Sequence, residues 1–265
     1  MEAVCGKVAL ITGTTYGIGA AYVKDLFQNG LKACTMSDID PKGQELADEM
    51  NCKYGEGKAL FIQADAIQKD ALECVFEKNM QTFKGLDIVV NNAGILRDSL
   101  WEQTIDLNIK STIHGSLLGI KYMGKNNGGN GGTVVNTSSI LGMQPCFGCP
   151  VYTGTKHFVI GFDRSMGSPF FFNLTGVKFL TICPGVTETP MVWDADKWTL
   201  QGFPGLGQEL AALLQSMPTQ TTQPIAEGLR KMLNEGENGS VWVGEDNMFY
   251  EVEIPDRKTF KKKIC

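Results

Sequence analysis

The segment KVALITGTTYGIGAAYVKDLFQNG, residues 7–30, restricts the fold of this chain more than any other stretch. Lys7 to Thr12 is a short apolar run of strand type, and helical periodicity runs from Ala20 to Asn29. Between them stand Gly13, Gly17 and Gly19. A strand, a glycine-rich turn and a helix start present backbone N–H groups and the positive end of a helix to an anion. Gly13 allows the tight turn, Gly17 lets backbone approach a pyrophosphate, and Gly19 lets the helix pack close to the strand. The spacing is G-x-x-x-G-x-G and not the commoner G-x-G-x-x-G. The turn as a whole, with Thr15, Tyr16 and Ile18 among the glycines, is the predicted cradle of a dinucleotide.

Strands and helices alternate from there on. Strands are predicted at Ala33–Ser37, Lys58–Gln63, Leu86–Val90, Thr133–Thr137, Val177–Ile182 and Ser240–Val243. Helices are predicted at 44–50, 71–83, 101–123, 150–166, 208–214 and 225–233, with Gly167-Ser168-Pro169 disrupting the fourth of these at its end. No composition break or internal repeat divides the chain. The expectation is one doubly wound, Rossmann-type α/β domain over residues 1–265, with a parallel seven-stranded sheet and helices on both faces.

The 265 residues, 43% hydrophobic and 20% charged, suffice for a sizeable core. A net charge of −5 argues against nucleic acid as a partner. No apolar run reaches the length of a membrane span. The start, MEAVCGKVALITG, does not read as a signal peptide, and eight scattered cysteines then read as reduced thiols of a cytoplasmic protein. The sequon Asn173-Leu174-Thr175 is accordingly expected to be unused. The C-terminal stretch from Lys258 to Cys265 reads as a solvated basic tail.

Ligands of such sheets bind beyond the carboxyl ends of the strands. Asp38 stands at one such end, about 20 residues past the glycines, where an acid accepts hydrogen bonds from the adenosine ribose of NAD and repels the 2′-phosphate of NADP. No Arg or Lys occupies Thr14, Thr15 or Ile39, so the predicted cofactor is NAD. A plain turn or helix-cap role within Asp-Ile-Asp-Pro is the alternative for Asp38. Asn91 and Asn92 have side chains suited to tying strand ends together.

Tyr152 and Lys156 share a helix face, one turn apart, if the helix starts near Pro150. Ser139, at the end of the strand Thr133–Thr137, can meet them from the side. A phenol of pKa near ~10 is a poor base at neutral pH, and a neighbouring ammonium favours its ionised form. Taken alone the pair is equally a surface Tyr beside a surface Lys. Its place among residues converging on one sheet edge favours proton transfer to or from an alcohol oxygen. Asn108 is unfavourable inside a helix and reads either as solvent-facing or as a bend or water-holding site. His114 reads as a packed or interface histidine. Cys146-Phe-Gly-Cys149 has the spacing of a dithiol, but its place in a loop over the site favours pocket-lining thiols. No metal site is predicted.

These motifs, TGTTYGIG at 12–19, NNAG at 91–94, Asn108, Ser139, YTGTK at 152–156 and PGVTET at 184–189, together resemble the short-chain dehydrogenase/reductase family over nearly the whole chain. Within the family, GGNGGTVVNTSS and PVYTGTKH are similar to the NAD-linked 15-hydroxyprostaglandin dehydrogenase group. Asn238–Trp242 and the region 218–224 are similar to insect-type alcohol dehydrogenases. The resemblance implies Tyr152 as acid/base and Ser139 as partner of the substrate oxygen. It implies that Lys156 lowers the Tyr152 pKa and binds the nicotinamide ribose, and that Asn108 holds a water. Asp65 and Ala66 would flank the adenine. Asn92, Ala93, Gly94, Pro184, Gly185, Val186, Thr187 and Thr189 would complete the cofactor site. A homodimer through the helices holding Asn108 and Tyr152 is also implied. Prostaglandin dehydrogenases carry a glutamine three residues before the catalytic tyrosine, where this chain has Cys149.

Residues 190–217, rich in Met, Trp, Phe and Leu, read as a substrate lid. With Met143, Cys146, Phe147, Cys149, Met191 and Trp193 they line an apolar pocket. The expected activity is reversible, NAD-linked oxidation of a secondary or allylic lipophilic alcohol (isoprenoid, steroid or fatty), in the EC 1.1.1 class. An NADPH-dependent carbonyl reductase and a non-catalytic dinucleotide-binding sensor or scaffold are the rival expectations.

Overall fold

The computed structural model describes residues 3–260. Its centre is β1 (Val8–Thr12), buried along its whole length. β1 pairs in parallel with β2 (Ala33–Asp38) on one side and β4 (Ile88–Asn91) on the other. β3 (Ala59–Gln63) adds outside β2, and β5 (Gly132–Thr137), β6 (Val177–Pro184) and β7 (Val241–Glu245) add in parallel beyond β4. The strand order is β3-β2-β1-β4-β5-β6-β7, with an eighth strand, β8 (Met248–Val252), outside β7. The chain therefore reverses its direction of travel across the sheet between β1 and β4, the crevice where doubly wound sheets bind ligands.

Successive residues of a strand face opposite sides of the sheet. Ala9 and Ile11 enter a core with Tyr22, Val23 and Leu26 of α1 (Gly17–Gln28), Leu46 and Met50 of α2 (Gly43–Tyr54), and the apolar face of a helix near the C-terminus, Gln223–Glu235. Leu10 enters the opposite core, with Leu72, Val75 and Phe76 of α3 (Lys69–Phe83). Helices thus cover both faces of a single α/β domain. No helix among the described residues is long and apolar enough to cross a membrane.

The structure corrects the predicted sheet in one respect. It has eight strands, because β8 (Met248–Val252) pairs antiparallel with β7. Asp246 and Asn247 join the two with φ of +50° and +57°, the left-handed pair of a two-residue hairpin. β8 is largely exposed, so it lacks the continuous apolar run that marks the buried strands.

The predicted helix 101–123 is broken into α4 (Trp101–Ile105), a wider π stretch at Asp106–Ser111 and α5 (Thr112–Met123). α6 runs from Pro150 to Met166 and ends where the glycine and proline were expected to end it, with a separate α7 at Pro169–Thr175. The predicted lid contains two short elements, α8 (Pro190–Trp193) and α9 (Leu206–Ser216), and α10 (Gln223–Glu235) follows. α1 starts three residues earlier than predicted, at Gly17, and α2 runs four residues past its predicted end, to Tyr54. The basic tail falls largely on residues 261–265, outside the described residues.

Candidate active site

The glycine turn is built by close approach. Gly13 has φ +71°, and a Cβ there would lie 2.9 Å from Ala93 Cα. A Cβ on Gly19 would lie 2.0 Å from Gly13 O, so no larger residue fits the start of α1. Gly17, at φ +58°, faces Thr189, whose Cγ2 would be 2.9 Å from an added Cβ. Asn92 Nδ2 donates to Thr12 O at 3.1 Å and Gly13 O at 3.0 Å, and Ala93 N–H donates to Thr12 Oγ1 at 3.1 Å. Asn91 Nδ2 donates to Asn136 Oδ1 at 2.7 Å, which ties β4 to β5 as the two asparagines suggested. Asp38 accepts from Thr15 N–H at 2.9 Å and from Asp40 N–H at 3.1 Å. It thus makes an Asx turn and also fixes the glycine turn, each oxygen keeping capacity to accept a further hydrogen bond. Tyr16 precedes α1 and its hydroxyl donates to Asp40 Oδ2 at 2.9 Å, while Ile18 packs against the α1 core. Asp65 accepts from Ile67 N–H at 3.0 Å, and Ala66 beside it is buried. Across the crevice, Gly185 N–H donates to Gly244 O at 2.7 Å just past Pro184, Val186 is buried, and Thr187 bridges to Gln220.

Ser139, Tyr152, Lys156 and Asn108 are brought together. Ser139 follows the end of β5 in extended backbone, its hydroxyl accepts from Leu141 N–H at 3.2 Å, and it lies close enough to the Tyr152 phenol to favour the ionised form. Its neighbour Ser138 is committed to structure, donating to Lys156 O at 2.8 Å. Lys156 Nζ donates to Thr137 O at 2.8 Å and lies 5.5 Å from the Tyr152 ring centroid. Burial pushes the Tyr152 phenol above its ordinary range, against the pull of Ser139. Burial also lowers the Lys156 ammonium to about 8. Asn108 is 1% exposed, so it does not face solvent. Its carboxamide accepts from Ile95 N–H at 2.9 Å and donates to Ile95 O at 2.9 Å and Thr155 Oγ1 at 3.0 Å. It clamps the segment after Gly94 to α6 from the π stretch, where the widened backbone accommodates it.

Asp98 belongs to this cluster and no motif pointed to it. Its carboxylate is fully buried and accepts from Val151 N–H at 2.7 Å and Tyr152 N–H at 2.9 Å. These are orphan donors of the first turn of α6, satisfied from a loop 53 residues earlier in the chain. Burial nevertheless holds the Asp98 pKa above its usual value.

Residues 7–200 match the family model described as short chain dehydrogenase. The chain belongs to the short-chain dehydrogenase family. It is 35% identical over 238 residues to rat 15-hydroxyprostaglandin dehydrogenase [NAD(+)], covering 89% of this chain and 90% of the relative. It is 30% identical over 250 residues to alcohol dehydrogenase 2 of Ceratitis capitata, covering 93% and 94%. Among solved structures, levodione reductase superposes with a TM-score of 0.76 at 23% identity, covering 91% of this chain and 97% of that one. Members of this family are oxidoreductases that bind a nicotinamide dinucleotide and act on small substrates.

In this short-chain dehydrogenase, Cys146, Cys149, Leu96 and Tyr152 are buried in one apolar cluster, with Met143 against it. Phe147 (58%), Met191 (38%) and Trp193 (68%) are substantially exposed and lie outside that cluster. Within residues 190–217, Leu210, Leu213, Leu214 and Met217 take part in it instead. Their i, i+3, i+4, i+7 spacing along α9 is the signal that could have singled them out. Arg97 stacks over Trp198 at 4.5 Å, joining the lid to the loop that holds Asp98. His114 is remote from this cluster, half-buried in a groove between α3 and α5 beside Lys69 and Lys121.

Proposed function

We propose that this chain is an NAD-dependent dehydrogenase that reversibly oxidises a secondary or allylic lipophilic alcohol, such as an isoprenoid, steroid or fatty alcohol, to the carbonyl. The observation that carries this reading is the meeting of Ser139, Tyr152 and Lys156 beside the β1–β4 crevice. The glycine cradle, closed to any Cβ at Gly19, fits a dinucleotide backbone. Lys156 makes one hydrogen bond to Thr137 among the described residues, which leaves ammonium donors for ribose hydroxyls. When bound, the nicotinamide supplies the hydride acceptor.

Ser139 donates to the alcohol oxygen and holds it against the Tyr152 phenol. Tyr152 takes the hydroxyl proton during oxidation and returns it during reduction. Lys156 supplies the positive charge that favours the phenolate, against the burial that disfavours it. Asn108 and Asp98 fix the start of α6 and the segment after Gly94, so that Tyr152 stays in place. Asp38 accepts from the adenosine ribose and selects NAD, in keeping with the NAD(+) in the rat relative's name. Thr187 and Thr189 flank the cofactor from the β6 side, and Asp65 with Ala66 flanks the adenine. Residues 190–217 close as a lid over an apolar substrate, with Cys149 and Leu210 against its carbinol end. The protein works in the cytoplasm as a homodimer.

The test is a panel of lipophilic alcohols with NAD at alkaline pH, followed by NADH absorbance, with NADH and NADPH binding compared by titration. Turnover of secondary or allylic members, and tighter NADH binding that Asp38→Ser weakens, are expected. Tighter NADPH binding overturns the role of Asp38, and no turnover with any member favours the sensor or scaffold reading.

A further inference from the structure

The loop between Ser139 and Tyr152 holds two thiols that the proposed reaction does not use. We infer that Cys146 and Cys149 form a reversible disulfide when a hydroperoxide enters the site, and that this bond switches the substrate side of the site without touching the cofactor side. The two residues end a turn in which Cys149 N–H donates to Cys146 O at 3.4 Å. Such a turn holds its terminal Cα atoms within ~7 Å, close to the ~4.4–6.8 Å that a disulfide spans. The two side chains lie buried in the same apolar cluster. The neighbouring Cys149 thiol, with the N–H groups of Gly148 and Cys149, draws Cys146 toward the thiolate, while the Cys146 thiol and burial keep Cys149 protonated. One nucleophile and one resolving thiol are the parts a dithiol switch needs.

The chemistry balances with the oxidant named. Cys146 thiolate attacks the distal oxygen of the hydroperoxide, the O–O bond breaks, and an alcohol, or water from hydrogen peroxide, leaves after taking up one proton. The sulfenic acid formed on Cys146 is then attacked by the Cys149 sulfur. The S–S bond forms, the S–O bond breaks, and the Cys149 proton leaves with the hydroxyl as water. An external dithiol returns both thiols by exchange. Both cysteines are nearly closed off from solvent, at 5% and 0% exposure, whereas Phe147 between them is 58% exposed. Entry is thus limited to a small oxidant reaching the turn beside Phe147.

The consequence follows from position. Cys149 immediately precedes Pro150 at the start of α6, three residues before Tyr152, and its Sγ lies 4.0 Å from Thr153 Oγ1. Gly148 is pressed on the lid, since a Cβ there would lie 2.6 Å from Leu210 Cδ1. Forming the ~2.05 Å S–S bond re-sets the turn that leads into α6, and a displacement on the order of 1 Å near reacting groups can cost about 100-fold in rate. Asp38 and the glycine turn belong to the other half of the sheet and are not touched.

The effect on turnover rests on the dehydrogenase reading above; formation of the bond does not. Reduced protein is treated with graded hydrogen peroxide, alkylated, and mapped by peptide mass spectrometry, with parallel NADH titration. The Cys146–Cys149 bridge is expected at peroxide levels that leave buried Cys34 and Cys183 alkylatable after unfolding, and dithiothreitol should restore both thiols. Cys149→Ala should instead trap a dimedone-reactive sulfenic acid on Cys146. Turnover of whichever alcohol the panel identifies should fall by about tenfold or more and recover on reduction, with NADH affinity unchanged. Absence of the bridge, or oxidation of Cys146 to the sulfonic acid with Cys149 still alkylatable, overturns the proposal. A bridge that leaves turnover unchanged overturns the switch. A bridge in a protein that turns over no alcohol, with NADH affinity unmoved, leaves the dithiol standing and removes the dehydrogenase reading.

Discussion

Asp163 offers a direct test of how burial governs this fold. It lies on the inner face of α6, fully buried, and accepts from Asn136 Nδ2 and from Thr181 Oγ1 at 2.8 Å. Asn136 is in turn linked to Asn91 and Ser116, so the groups facing the carboxylate are neutral amides and hydroxyls. Burial, opposed by the Asn136 and Thr181 hydrogen bonds, pushes its pKa up to about 7. In the unfolded chain the same group titrates near ~3.9. Between those values the folded state holds a proton that the unfolded state releases, so stability falls as pH rises from about 4 to about 7 and is level above. At ~1.4 kcal/mol per pH unit the ceiling of this loss is about 4 kcal/mol. Asp163→Asn keeps the shape and removes the titration. Its amide oxygen can accept from Asn136 and its NH2 can donate to Thr181 Oγ1. Denaturant unfolding of both proteins at pH 4 and pH 8 should give similar stabilities at pH 4. At pH 8 the variant should be ahead by a few kcal/mol, within the same ceiling of about 4 kcal/mol. A variant that is less stable at pH 8, or a difference that does not change with pH, would refute the claim that Asp163 is a neutral acid held by burial.

Gly19→Ala places a methyl 2.0 Å from Gly13 O, and NADH titration should show affinity reduced by about tenfold or more as the turn is forced open by 1–3 kcal/mol of strain, roughly. Asp98→Asn turns one acceptor oxygen into a donor facing the N–H of Val151 or Tyr152. Thermal melts should register a loss of about 1–3 kcal/mol, and steady-state kinetics a lower kcat with NADH binding unchanged. Because burial holds the Tyr152 phenol above its ordinary range, alcohol oxidation should accelerate as pH rises toward about 8, where Lys156 begins to lose the charge that favours the phenolate, and a profile flat from pH 6 to 8 would show that another group is the base.

The central strands were legible because parallel strands buried on both faces read as unbroken apolar runs, as VALIT does at β1. The cradle was legible because Gly13 and Gly19 stand where only glycine fits. β8 was not, since MFYEV carries charge on an exposed edge and its turn signal, Asp246-Asn247, lacks the glycine usual in such hairpins. Asn108 stood out as awkward in a helix, but the wider backbone that accommodates it has no local sequence mark. Asp98 was invisible for a different reason: its partners are backbone N–H groups more than 50 residues away, and a long-range cap leaves no spacing to read. Residues 190–217 misled by composition. Its conspicuous Trp193 and Phe203 are exposed, whereas the plain leucine stripe of α9 makes the contact.

The proposed dehydrogenase reaction requires the Tyr152 phenol to carry the proton. It is tested most directly by Tyr152→Phe, which keeps the ring and the packing and removes the hydroxyl. Alcohol-dependent NADH formation should fall by about 100-fold to 10,000-fold, with NADH binding as in the parent protein. A variant that binds NADH normally and still oxidises the alcohol at the parent rate would mean that another group moves the proton.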